Sequence, residues 1–97
     1  MEWVKTLAIV MRLRRMLKLS KDDPRKIIEE AFKNAPEDVK EVVYSIMDIQ
    51  YDGKSPREVA VELGRKLGIR DEDLDTFADT VVSIAEEVAQ ALKAELQ

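Results

Sequence analysis

The side chains that most often do chemistry near neutral pH are missing from this chain. It has no histidine and no cysteine, which removes the usual acid–base group, the commonest transition-metal ligand, thiolate nucleophiles, disulfides and sulfur-built zinc sites. The remaining candidates are hydroxyls and carboxylates. Ser20, Ser45, Ser55 and Ser83 have no partner base to activate them. Glu29 with Glu30 and Glu86 with Glu87 form adjacent pairs, which on a helix point in different directions and read as solvated surface. A carboxylate enzyme needs two acids converging in an apolar cleft, and no pair here is placed that way. The chain is therefore expected not to be an enzyme and to need no cofactor or metal.

Charge is the second candidate. Residues 1–28 hold eight Lys and Arg against three acids, whereas residues 71–97 hold eight acids against Lys93 alone. Arg12, Arg14, Arg15 and Lys18, with Lys21, Arg25 and Lys26 beyond them, could form a patch for an acidic partner, an anionic membrane or nucleic acid. The same cations would also complement the negative end of a helix dipole beside a neighbouring acidic helix. A net charge of -4 disfavours nucleic acid as a partner of the whole molecule.

Two local resemblances bear on function. Asp48, Gln50, Asp52 and Gly53 are spaced like the first half of an EF-hand calcium loop, but Pro56 and Val59 stand where that loop needs its last ligands. A capped turn between helices is the expectation. Leu63, Gly64, Leu67, Gly68, Ile69, Leu74 and Phe77 resemble the helix-turn-helix of bacterial and phage repressors over about 20 residues, with a small residue at the crossing and glycine in the turn. That resemblance implies a second helix presenting Arg70, Asp71, Glu72, Asp75, Thr76 and Asp79 to the major groove. Four of these six are acidic, and carboxylates are repelled by phosphates, so the pattern reads as a helix–helix corner.

The elements that must position these groups are helical. Met1–Leu19 is so densely apolar that the spacing predicts a helix buried nearly all round. Trp3, Val4, Leu7, Val10 and Met11 would lie on one face, and Ile9, Leu13, Met16 and Leu17 on another, each against a partner. Asp23-Pro24 starts a second helix, with Ile27, Ile28, Ala31 and Phe32 inward and Asn34 suited to a left-handed end. Pro36 opens a third, carrying Glu37 and Asp38 in its first turn and Val39, Val42, Val43, Ile46, Met47 and Ile49 along its buried side. Ser55-Pro56-Arg57-Glu58 is a capping box for a fourth, which Gly68 and Ile69 end. Asp71-Glu72-Asp73 leads a fifth of roughly 26 residues, about 39 Å at 1.5 Å per residue, with an apolar stripe from Leu74 through Leu92 to Leu96.

The predicted fold is all-α, one domain over residues 1–97: an irregular five-helix array with short helices packed between or against long first and fifth helices. The positive charges follow the apolar run rather than precede it, against a signal peptide, and the run is too short to span a bilayer.

Taken as a whole, the chain resembles computationally designed all-α proteins. Asp-Pro, Ala-Pro-Glu-Asp and Ser-Pro-Arg-Glu open helices, Gly closes others, and Glu, Lys, Arg and Ala fill the outer positions, as design rules prescribe. Met11, Met16 and Met47, Gly64 inside a helix and the mixed stretch Tyr44–Asp48 depart from that style and leave a natural origin open. The resemblance implies a non-enzymatic monomeric scaffold with no evolved activity, no partner and no membrane. The alternative is an interaction module using Arg12, Arg14, Arg15 and Lys18. A natural chain of this kind is expected in the cytoplasm, a designed one only in recombinant expression.

Overall fold

A computed structural model describes residues 2–20 and 22–96, with side chains described as far as Lys93. Among these residues it has five α-helices: α1 (Trp3–Leu19), α2 (Pro24–Ala31), α3 (Glu37–Met47), α4 (Pro56–Lys66) and α5 (Leu74–Leu96). A single 3-10 turn, Asp71–Asp73, leads into α5. The fold is an irregular five-helix array in which α1 and α5 make most of the contacts between helices: α1 packs on α2, α3 and α5, and α5 packs on α1 and α4.

Helix starts follow local chemistry. Asp23 Oδ1 accepts the Arg25 amide at 3.0 Å in front of Pro24, and Ser55 Oγ accepts the Glu58 amide at 3.2 Å in front of Pro56. Each cap satisfies a backbone donor that the first helical turn leaves open. The end of α4 is a Schellman motif. Ile69 N–H donates to the Gly64 carbonyl at 2.9 Å and Gly68 N–H to the Arg65 carbonyl at 3.1 Å. Gly68 has φ 81°, and Ile69 is buried beside it.

Several expectations are corrected: Ala31, expected inward, is exposed, and so is Leu92 of the expected α5 stripe, at 52%. α1 is amphipathic rather than buried all round. Thr6, Val10, Leu13 and Leu17 form its inner seam, and Ile9 and Met16 are half-buried, whereas Val4 is 52% and Met11 41% exposed. The two predicted faces meet at Val10 and Leu17, and packing covers the arc around that junction. Asn34 does not take the left-handed conformation; α2 closes with the Phe32 amide on the Ile28 carbonyl at 3.0 Å, and among the described residues the left-handed ones are Asp52, Gly53 and Gly68. Ile49 lies beyond the end of α3. α5 begins at Leu74, since Asp71–Asp73 winds more tightly. Met1, Lys21 and the side chain of Leu96 lie outside the described residues.

The core gathers Val10, Leu13, Ile28, Val43, Ile46 and Phe77 with Val81 and Ile84. Its tightest point is the α4–α5 crossing, where a Cβ on Gly64 would fall 2.8 Å from Phe77 Cδ1 and 2.9 Å from Leu74 Cδ2. Two threonines are buried in the interior. Thr6 and Thr80 satisfy their hydroxyls locally, donating to the carbonyls of Glu2 at 3.3 Å and Thr76 at 2.7 Å. That back-bonding lets a hydroxyl sit inside without the penalty of an unmade hydrogen bond.

Candidate interaction surface

The four cations Arg12, Arg14, Arg15 and Lys18 sit in the C-terminal half of α1, but the helix does not aim them together. Arg12 leaves the group: its guanidinium lies over the Phe32 ring, 5.3 Å from the centroid, a cation–π placement at the end of α2. Arg14, Arg15 and Lys18 remain together and, with Met11, line a shallow depression of about 280 Å³. Among the described residues none of the four is in an ion pair; the described pairs involve Arg25, Lys40, Lys54, Arg57 and Arg70. Arg15 and Lys18 are exposed, and Arg14 is half-buried. The Arg14 Nε is covered and has no hydrogen-bond partner. Lys21 lies outside the described residues, Lys26 is exposed, and Arg25 reaches Asp48 at 3.8 Å.

The α4–α5 corner has the close approach and glycine turn of the helix-turn-helix spacing. Arg70, Asp71, Glu72, Asp75, Thr76 and Asp79 are all exposed on its outer side. Their charges are partly answered from within. Arg57 on α4 donates to Asp75 at 2.7 Å and to Asp79, and Arg70 pairs with Asp73 and with Glu72 at 3.3 Å. These contacts raise both guanidinium pKa values, chiefly through the hydrogen bonds to Asp79 and Asp73. Arg70 also covers the indole of Trp3, 4.1 Å from its centroid, and so ties the start of α1 to the corner.

The calcium-like spacing becomes a tight turn. Lys54 N–H donates to the Tyr51 carbonyl at 2.9 Å, with Asp52 at φ 47° and Gly53 at φ 83°. Asp48 turns to Arg25 instead of toward Asp52. Among the described residues no three acidic side chains converge as a metal ion requires.

The hydroxyls with nucleophilic potential mostly serve the backbone. Ser45 donates to the Glu41 carbonyl at 2.7 Å, Ser20 accepts the Asp22 amide at 3.2 Å, and Ser55 caps α4. Ser83 lies beside Pro56 and Val82 in an open groove between α4 and α5. Tyr51 lines an apolar groove of about 250 Å³ with Ile46, Met47, Ile84 and Val88. Its hydroxyl is covered and unpaired, and burial raises its pKa above the ordinary tyrosine value. Sequence reading missed Tyr51, Thr6 and Thr80, because only the alternation of apolar neighbours hints that a polar residue will be covered.

No family model, curated protein or solved structure matches the chain. Among the described residues no helix is long and apolar enough to cross a membrane.

Proposed function

We infer that this chain is a non-enzymatic helical scaffold, a monomer that needs no cofactor and whose making was by computational design. The observation that carries the reading is the use of its polar groups. Ser20, Ser45, Ser55, Thr6 and Thr80 bond to nearby backbone, and Arg57 and Arg70 hold the α4–α5 corner through surface carboxylates. Groups engaged in this way hold secondary structure together instead of meeting at a reacting centre, where nucleophile, base and charge stabiliser must come within hydrogen-bond reach of one another.

Design is supported by the agreement of local rules with global packing. Side-chain caps stand at Asp23 and Ser55, a Schellman glycine ends α4, and Asp52-Gly53 forms a hairpin-style turn. Consistency across these levels is what a sequence chosen for its backbone requires. Native mass spectrometry of the recombinant chain tests the reading. The expected result is the mass of one bare polypeptide; a retained small molecule or a stable dimer would sink it.

A further inference from the structure

The outer side of α1 is a second seam. Val4, Leu7 and Met11 recur at spacings of three and four, the a–d–a register that one helix offers another in a coiled coil. Arg14 and Lys18 continue the same line, and Arg15 flanks it. This row lies roughly a third of a turn around the helix from the buried row of Thr6, Val10, Leu13 and Leu17. Its outer members are open to solvent, Val4 and Met11 being 52% and 41% exposed, while Leu7 between them is half-buried against the core.

We propose that this face of α1 docks an acidic amphipathic helix of a partner protein, with apolar anchors on Val4, Leu7 and Met11 and carboxylates opposite Arg14, Arg15 and Lys18. The inference goes beyond the scaffold reading and is independent of the chain's origin. Charge complementarity selects the partner, since the three cations share one depression with Met11 and none has an ion pair among the described residues. From Val4 to Lys18 the row runs about 21 Å, the length of a four-turn helix.

The heptad spacing favours a helix over the other anionic surfaces. A bilayer takes up a broad apolar face rich in Trp, Phe and Leu, whereas this stripe is narrow and the indole next to it, Trp3, lies under Arg70. Nucleic acid needs donors along the whole contact and gains from stacked aromatics, but the first half of this row is aliphatic.

Titration of isotope-labelled protein with a synthetic peptide of about 20 residues tests the proposal. The peptide carries Leu at a and d positions and Glu beside them. Amide shifts are expected along α1 from Val4 to Lys18, with binding that weakens as salt rises, as charge steering requires. Arg15→Glu with Lys18→Glu should weaken binding by roughly tenfold or more, and Met11→Asp should weaken it independently. These positions face solvent, so circular dichroism should be unchanged. The charge-reversed variant should instead bind a matching peptide with Lys in place of Glu. The proposal is overturned if the parent binds the Lys peptide equally well or the shifts fall elsewhere. It is equally overturned if phosphatidylglycerol vesicles or duplex DNA bind more tightly than the Glu peptide, or if the stripe proves to be covered by a second copy in sedimentation.

Discussion

Replacing Gly64 with alanine sets two effects of known size against each other. Helix propensity favours the change by about 1 kcal/mol, since glycine is the poorest ordinary residue inside a helix. Packing opposes it. The new methyl would stand 2.8 Å from Phe77 Cδ1 and 2.9 Å from Leu74 Cδ2, with Phe77 Cε1 at 3.1 Å. The Leu74 methyl can swing aside, but the Phe77 ring is fully buried and has nowhere to go without moving its neighbours. Overfilling a packed core costs about 1–3 kcal/mol, so Gly64→Ala should lose up to about 2 kcal/mol, with about 1 as the central value. In a domain of this size that is a fall of about 4–8 °C in Tm. Urea denaturation followed by circular dichroism measures it. A second arm isolates the contact. Leu74→Ala alone should cost about 2–5 kcal/mol, and less in the Gly64→Ala background, because the new methyl fills part of the vacated space. A Gly64→Ala protein more stable than its parent by about 1 kcal/mol, the whole helix-propensity gain with no packing cost against it, would refute the close α4–α5 crossing.

Three further outcomes are expected. Gly68→Ala should cost about 1–2 kcal/mol in the same urea assay, purely from forcing a side chain to φ 81°, as its Cβ would touch nothing within 4 Å; Gly68→Asn should cost less. Thr6→Val should leave stability within about 0.5 kcal/mol, because the Glu2 carbonyl keeps the Thr6 amide at 3.2 Å, whereas Thr6→Ser should lose about 0.8 kcal/mol for the buried methyl. Tyr51→Phe should be at least as stable as the parent at pH 7, since it removes a covered hydroxyl that has no partner. The pH dependence of that pair carries a sign. Burial raises the folded-state Tyr51 pKa, so above the ordinary value of 10.0 the unfolded chain ionises first. The parent should therefore lose stability from about pH 10 up through the folded pKa, and more steeply than Tyr51→Phe. Equal slopes in the two proteins would remove Tyr51 as the cause.

The starts of α2 and α4 and the stop of α4 were legible because they are decided within a few residues, unlike the ends of α2 and α3 and the start of α5. Asp23 before Pro24, Ser55 three residues ahead of Glu58, and Gly68 before Ile69 each answer an open backbone group locally, and the structure places a hydrogen bond at each. The irregular five-helix arrangement was legible for a related reason: unequal amphipathic segments cannot form a regular bundle. The inward arc of α1 was not. Its apolar residues cover more of the circumference than its neighbours can, and periodicity alone does not say which part of an over-wide stripe is left in water. Val4 and Met11 ended outside, and Thr6 inside. The basic group was legible as a cluster in sequence but not in direction. Consecutive residues point a hundred degrees apart, so Arg12 went to Phe32 while Arg14, Arg15 and Lys18 stayed together.

The stacking of Arg70 on Trp3 gives the molecule its own optical reporter. There is one tryptophan in the chain, and it sits where the beginning of α1 meets the α4–α5 corner. Its emission therefore follows the release of that end of α1, while far-ultraviolet ellipticity follows the helices as a set. Recorded together through a melt, the two signals tell fraying of one terminus from collapse of the whole, without any label being attached.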